Sequence, residues 1–224
     1  MDAFKPDAEK RRETGLTEWA DNYYRQRFGV RIIAMIPMPG NHFVLREPLT
    51  ADNLKGRKIR SNPLYDGIVR ALGGTPVNMA PADAFAAMQK GTIDGIAFPA
   101  YASTQFKLYE VAKFMTVPIF GSTNNSVMMN AKKFDSLSAA HQKLILDEGR
   151  RLEIVSMAAF RDLERQELEQ MVKNGVKNVS FDAATGASLN RLYNEGIVTT
   201  TSKSTPAEVK TLFELAKSKN MINE

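Results

Sequence analysis

The chain has 224 residues, of which 43% are hydrophobic and 25% charged, so it is long enough to bury a core and does not have the composition of a disordered protein. Cysteine is absent and only His42 and His141 are present, which excludes disulfides, thiolate metal sites, cysteine nucleophiles and multi-histidine metal sites. The net charge is +5, but Lys and Arg are spread along the chain beside Asp and Glu, so we expect no nucleic-acid binding. No run approaches the ~18 apolar residues of a membrane span.

The pattern of the first 60 residues predicts one helix followed by three strands. Apolar side chains recur at spacings of three and four from residue 7 to residue 28, and Gly29 ends that helix. Proline and glycine between Pro37 and Gly40 end the first strand, because they cannot continue a helix or a central strand. The three strands are predicted at residues 30–36, 42–45 and 58–60.

Helices and strands alternate from residue 58 to residue 98. Pro63 stands in the first turn of a helix that ends at Gly73-Gly74, and a second helix, at 81–90, ends at Gly91. Strands are predicted at 75–79 and 93–98. This order with short loops is typical of a parallel sheet with covering helices.

A helix from about Ala139 to Lys173 is the longest predicted element. Its length exceeds the ~8–20 residues of most globular helices, and a helix this long in a small α/β protein normally runs across two lobes. A helix at 107–115 and strands at 115–120 and 126–129 precede it. A strand at 176–181 and helices at 185–200 and 206–219 follow it.

The chain carries no catalytic signature. There is no nucleophile elbow, no phosphate loop and no dinucleotide-binding glycine motif, and Gly73-Gly74 follows a helix, which makes it a helix end. His42, beside the Pro37–Gly40 turn, is either a cleft residue or a structural one. Without a nucleophile–base pair we expect no enzyme and no cofactor.

Arg60 has the best position for binding a ligand. It ends a strand directly before a loop and a helix, and ligands of open parallel sheets lie outside the carboxyl ends of the strands. A guanidinium binds a carboxylate through two parallel hydrogen bonds. Its position alone is equally compatible with a surface ion pair. Phe98, at the end of its strand, either faces the same crevice or packs in the core.

Four segments resemble motifs of one known family, in the expected order and near the expected spacing. They are DNLKGRKIRSNPLYD (52–66), ALGGTPV (71–77), AAMQKGTIDG (86–95) and LYEVAK (108–113). The family is the DctP-type solute-binding proteins of TRAP (tripartite ATP-independent periplasmic) transporters, and the resemblance covers roughly residue 30 to the end. It implies an α/β, two-lobed periplasmic-binding-protein-like fold (type II-like) with a long lobe-spanning helix. It also implies a periplasmic receptor that captures a small organic carboxylate and delivers it to a TRAP membrane permease.

The resemblance further implies which residues touch the ligand. Arg60 matches the family arginine that pairs with the substrate carboxylate, and Phe98 matches a ligand-contacting position. The other expected contacts are Asn62, Pro81, Tyr101 and Asn125. Some relatives bind a metal through a carboxylate at the position of Ala97, so no metal is expected here.

In two respects the chain departs from the family pattern. A second family arginine has no counterpart, Asn41 or His42 lying nearest, which argues against a ligand like sialic acid. About the first third of the family chain, including the export signal, also has no counterpart, and residues 1–6 have no apolar segment of a signal peptide.

This shortening predicts the domain organisation and a rival function. In family terms, residues 1–38 and 124–164 are the remainder of an incomplete first lobe, while 39–123 and 165–224 form the second lobe, which carries Arg60. The alternative to a receptor is a truncated, partner-dependent or domain-swapped structural fragment with weak or no ligand binding. A homodimer through the incomplete first lobe is then expected.

Overall fold

The computed structural model describes residues 4–222, which form two β-sheets and the helices packed against them. The strands are β1 (Val30–Met38), β2 (Asn41–Leu45), β3 (Lys58–Ser61), β4 (Thr75–Asn78), β5 (Gly95–Pro99), β6 (Phe114–Val117), β7 (Thr123–Asn130) and β8 (Lys177–Ser180). The α-helices are α1 (Ala8–Glu13), α2 (Leu16–Phe28), α3 (Asp66–Ala71), α4 (Pro81–Gln89), α5 (Leu108–Val111), α6 (Ala131–Asp135), α7 (Ala139–Lys173), α8 (Ala183–Ser202) and α9 (Pro206–Ser218). A short 3-10 helix covers Ala100–Ala102.

The predicted first helix is two helices in the structure. The chain breaks between α1 and α2 at Gly15, whose φ of 79° lies in the left-handed region that favours glycine. Asp7 caps α1, its side chain accepting a hydrogen bond from the Lys10 N–H at 2.9 Å. The break leaves the apolar spacing of the segment almost intact, so periodicity alone predicted one helix.

The larger sheet has six strands in the order β4-β3-β5-β2-β6-β8. Strand β3 is parallel to β4 and β5, and β6 is parallel to β8, but β2 is antiparallel to both of its neighbours. The parallel arrangement predicted for the strands of residues 58–98 is therefore confirmed for β3, β4 and β5. The sequence predicted no direction for β2, which makes the sheet a mixed one.

Alternate residues divide this sheet into two packed faces. On one face, side chains such as Phe43 and Ile59 pack against α3 and α8. On the other, Val44, Ile96 and Phe98 pack against α4, α5 and the C-terminal part of α7. Both faces are covered, as expected of a sheet that contains parallel strands.

The smaller sheet is the antiparallel pair β1 and β7, with Val30 opposite Asn130 and Met38 opposite Thr123. Helix α2 packs on it through Ala20, which contacts Ile32 and Met35. The C-terminal helix α9 packs in a separate hydrophobic cluster that includes Phe4 and Leu16. Both ends of the described chain meet in this cluster.

Helix α7 has the predicted bounds and 35 residues, or about 52 Å at 1.5 Å per residue. Gly149 brings it against Ile33 of the smaller sheet, while Met171 is buried in the core of the larger one. One continuous helix thus contacts both sheets. None of the helices in the described part of the chain is long and apolar enough to cross a membrane.

Candidate ligand-binding site

Arg60 is held inside the larger sheet by two backbone carbonyls. Arg60 follows the buried Ile59 on β3, and only 4% of its own surface is exposed to solvent. The Nε–H donates to the carbonyl of Met79 at 3.0 Å, and Nη1 donates to the carbonyl of Ala97 at 3.4 Å. The guanidinium carbon lies 6.0 Å from the centre of the Phe98 ring. These contacts fix the guanidinium beside β4 and β5.

The charge of Arg60 has no carboxylate partner among residues 4–222. The surface ion pair that its position in the sequence also allowed is therefore not formed in this part of the chain. Burial lowers the pKa of Arg60, against the raising effect of Tyr65. A guanidinium has five N–H donors, and the two carbonyls leave about three of them for an anion. A desolvated cation without a counter-ion is costly, so binding an anion here is favourable.

Phe98 and His42 extend this face of the sheet on the strands next to β3. Arg60 is paired with Ile96, and Phe98 is paired with His42, so all four side chains lie on one face. The Phe98 ring packs edge-on against Phe106, with 5.2 Å between the ring centres. Phe98 is therefore packed in the core and also lies beside the guanidinium, while its contact with a ligand stays a prediction.

His42 is fully buried and uncharged at neutral pH. Its Nε2 lies 2.7 Å from the Ser103 hydroxyl, and Nδ1 has no partner among the described residues. Burial lowers the pKa of His42 to about 4. Of the sequence's two alternatives, the structure supports the structural one, and His42 adds no positive charge beside Arg60.

Three other predicted contacts follow the carboxyl ends of three neighbouring strands. Asn62 follows β3 and holds the next turn, its side-chain oxygen accepting from the Leu64 N–H at 2.9 Å. Pro81 begins α4 shortly after β4. Tyr101 follows β5 and packs edge-on against Phe160 of α7, at 5.2 Å between ring centres. Because β3, β4 and β5 are parallel, these positions share one edge of the sheet.

Asn125 lies elsewhere. It is an exposed residue of β7, opposite Ile36 in the smaller sheet. The other five predicted contacts lie on the six-stranded sheet or follow its strands, so Asn125 is the one that stands on the other sheet.

Sequence reasoning missed the carbonyls of Met79 and Ala97, which no side-chain signature reveals. It also missed the hydrogen bond between His42 and Ser103, which joins positions far apart in the chain. Among residues 4–222 no group of three or more His, Asp or Glu side chains is arranged to hold a metal ion.

The sequence profile of the DctP family, described as bacterial extracellular solute-binding protein, family 7, matches residues 9–195. The chain belongs to the DctP family. Its relatives are solute-binding proteins of transport systems, and the resemblance seen in the four sequence motifs is confirmed.

Curated relatives of this DctP-family chain match only part of their own length. A solute-binding protein of Sulfitobacter sp. is 30% identical over 162 residues, which cover 69% of this chain and 48% of the relative. The ectoine-binding periplasmic protein TeaA of Halomonas elongata is 26% identical over 146 residues, covering 64% of this chain and 43% of TeaA. The chain therefore matches about half, or less, of these relatives.

A solved structure shares the fold over nearly the whole chain. The TRAP periplasmic solute-binding protein from Desulfovibrio salexigens with bound orotic acid superposes with a TM-score of 0.82 at 22% identity, covering 98% of this chain and 73% of that one. The two-lobed α/β fold is thus confirmed, in a chain shorter than its structural relative.

Proposed function

We propose that this chain is a periplasmic solute-binding receptor that captures a small organic carboxylate at Arg60 and delivers it to a TRAP permease. The observation that carries the proposal is the buried Arg60 guanidinium, which is held by two backbone carbonyls and has no carboxylate partner among the described residues. A carboxylate from solution supplies the missing charge and accepts the remaining N–H groups.

The surroundings of Arg60 favour a ligand with one anionic group and an apolar or aromatic body. Phe98 offers a ring beside the guanidinium, and the neutral His42 brings no second positive charge. The ligands named for the two relatives, orotic acid and ectoine, are small molecules that carry a carboxyl group. They support the ligand class for this chain, not its identity.

We also propose the lobe boundaries predicted from the family, with the site in the lobe of residues 39–123 and 165–224. In support, β2 to β6 and β8 form one sheet, whereas β1 and β7 form another. Helix α9 does not follow this division, because it packs with Phe4 and Leu16 of the first-lobe segment. The chain passes between the two sheets after β1, after β6 and along α7, so a ligand bound between them is enclosed when these connections bend.

Isothermal titration calorimetry with a panel of small mono- and dicarboxylates tests this function. At least one monocarboxylate is expected to bind, and Arg60→Ala is expected to weaken it about 10- to 100-fold, the value of one or two hydrogen bonds to a charged group. Arg60→Lys keeps the charge but loses the two-pronged geometry, so we expect an intermediate loss. Arg70→Ala, at an exposed position on α3, is the matched control and should bind like the wild type.

Two outcomes would reject the proposal. One is binding that Arg60→Ala leaves unchanged, and the other is a folded wild-type protein that binds no carboxylate of the panel. The second outcome would favour the rival prediction of a partner-dependent fragment. The predicted homodimer does not depend on this titration.

A further inference from the structure

Helix α4 begins without a side-chain cap. Its N-cap residue, Ala80, has the extended backbone of an N-cap, with a φ of −63° and a ψ of 145°, but its side chain offers no oxygen to the first turn. Pro81 has no N–H, and the Asp83 N–H donates to the Ala80 carbonyl at 3.1 Å. The N–H of the exposed Ala82 has no acceptor among residues 4–222. The start of this nine-residue helix therefore offers a free donor and a partial positive charge.

This end of α4 lies next to the guanidinium of Arg60. The Nε–H of Arg60 donates to the carbonyl of Met79 at 3.0 Å, and Met79 directly precedes the N-cap of α4. Arg60 is also paired with Val77 on the parallel strand β4, which leads into the helix. The two positive groups therefore stand at the same edge of the six-stranded sheet, a few residues apart along the chain.

The side chain of Arg60 is evidence for an anion that does not depend on the helix. Arg60 is only 4% exposed, and its charge has no carboxylate partner in the described part of the chain. The carbonyls of Met79 and Ala97 accept from Nε and Nη1, whereas Nη2 has no acceptor within residues 4–222. A buried cation of this kind requires a negative charge close to its remaining donors.

We propose that the ligand carboxylate is shared between Arg60 and the N-terminus of α4, one oxygen accepting from Nη2 and the other from the Ala82 N–H. The inference rests on the proposed function and adds to it a second half of the carboxylate site, made of backbone. The guanidinium and the helix terminus are both positive, so they attract the same anion. A carboxamide, which turns an N–H₂ group towards one of two donors, should be rejected.

Two isosteric substitutions at Ala80 separate ligand binding from helix stability. Ala80→Thr places a hydroxyl where it can accept from the first-turn N–H groups, whereas Ala80→Val has the same shape without an acceptor. The threonine variant should bind carboxylates about five- to tenfold more weakly than the valine variant, because its hydroxyl competes for the Ala82 N–H. It should nevertheless melt at a higher temperature, since a cap stabilises a helix. A merely structural effect would change affinity and stability in the same direction.

Asp83 provides a second variant with the opposite expectation. It is exposed in the first turn of α4, where its negative charge stabilises the helix but repels a bound anion. Asp83→Asn should therefore bind carboxylates about two- to threefold more tightly and melt at a lower temperature. Asp147→Asn, at an exposed position on α7, changes the net charge equally and should leave the affinity unchanged.

Nuclear magnetic resonance observes both donors directly in the full chain. Spectra of the ¹⁵N-labelled protein are recorded with sodium acetate, with sodium benzoate and with the carboxylate that binds most tightly in the calorimetric panel. Sodium chloride at the same ionic strength is the control for salt effects. The Ala82 amide and the Arg60 Nε–H resonances should shift together and give the same dissociation constant. Benzamide should shift neither resonance, and Arg60→Ala should abolish the shift of Ala82.

The outcomes distinguish this inference from the function on which it rests. A carboxylate that shifts Arg60 but not Ala82, or that binds equally to Ala80→Thr and Ala80→Val, would overturn the shared site and leave the receptor function standing. Binding of benzamide as tight as that of benzoate would also overturn it. If no carboxylate binds in calorimetry or shifts either resonance, the proposed function fails, and the shared site fails with it.

Discussion

Arg60 and His42 lie on the same face of the six-stranded sheet, and both are buried. Arg60 remains charged there, whereas His42 is neutral. For Arg60, burial leaves a charged group whose attraction for an anion is strong because water is excluded. For His42, burial removes the charge, since it lowers the pKa to about 4. The site therefore presents one positive charge in neutral surroundings at neutral pH.

The buried His42 predicts a pH dependence of stability. Its pKa is about 4 in the folded chain and about 6.5 when unfolded, so the unfolded state binds more protons between these values. Stability from this residue is fully present above pH 6.5 and is lost as the pH falls toward 4. We expect the free energy of unfolding, measured by urea titration, to be about 2–3 kcal/mol lower at pH 4.5 than at pH 7 because of His42.

His42→Gln isolates this contribution, because glutamine is polar but does not titrate in this range. The variant should lose less free energy of unfolding than the wild type between pH 7 and pH 4.5. His141→Gln, at an exposed position near the start of α7, is the control and should follow the wild-type profile. Identical profiles for the wild type and His42→Gln would contradict the argument.

At the scale of elements, two buried glutamates hold α7 to the smaller sheet and to the loop that follows β5. Glu153 accepts from the Arg12 Nε–H at 2.6 Å and bonds to the backbone of β1. Glu167 accepts from the Thr104 N–H, just beyond the 3-10 helix, at 2.7 Å. The two carboxylates are about 21 Å apart along the helix axis, so α7 ties the smaller sheet to the loop that follows β5.

Removal of the first anchor should be strongly destabilising. Glu153→Ala leaves the N–H of Met35 and the guanidinium of Arg12 without their acceptor, and we expect the free energy of unfolding to fall by about 3 kcal/mol. Glu169→Ala, on the same helix in an exposed pair with Arg165, should change it by less than about 0.5 kcal/mol. Urea denaturation monitored by circular dichroism measures both. A similar loss in the two variants would refute the special role of Glu153.

The close approach of α7 to β1 gives a second prediction at this scale. A Cβ atom at Gly149 would lie 2.3 Å from the carbonyl oxygen of Ile33, so Gly149→Ala should destabilise the chain by about 1–3 kcal/mol. At Gly186 in α8 the nearest atom would be 3.8 Å away. Gly186→Ala should instead stabilise by about 0.5–1 kcal/mol, because alanine is the better helix former. Thermal unfolding of both variants tests this prediction. Melting temperatures that shift in the same direction would contradict the packing argument.

At the scale of the whole molecule, the sequence predicted the bounds of α7 and the parallel pairing of β3, β4 and β5 correctly. The bounds of α7 were correct because no proline interrupts its 35 residues and Asn174-Gly175 ends it. The break at Gly15 was missed because one left-handed residue barely disturbs that spacing. The sequence predicted no direction for β2, because the direction of a strand depends on the strands that it lies between, and local patterns carry no such information.

For the candidate site, the sequence pointed to Arg60 but not to the groups that hold it. Arg60 was identified because a charged residue at the end of an apolar strand is unusual, and the family motif around it is specific. Its two supports, the carbonyls of Met79 and Ala97, belong to other strands and became visible only when the sheet was assembled. Asn125 stands on β7 of the smaller sheet, in the segment that the sequence assigned to the first lobe, and its contact with a ligand stays a prediction.

The two carbonyls that hold Arg60 also affect the expected rate at which a ligand is bound. An arginine side chain that moves freely carries about 2 kcal/mol of rotamer entropy, which is lost when it is fixed. Here folding already fixes it, through Met79 and Ala97, before any ligand arrives. Under the proposed function, an incoming carboxylate meets a guanidinium whose plane is already set, so the guanidinium decides the orientation of the carboxylate at the first contact. The rate of capture should then depend on opening of the cleft and not on a search by the arginine.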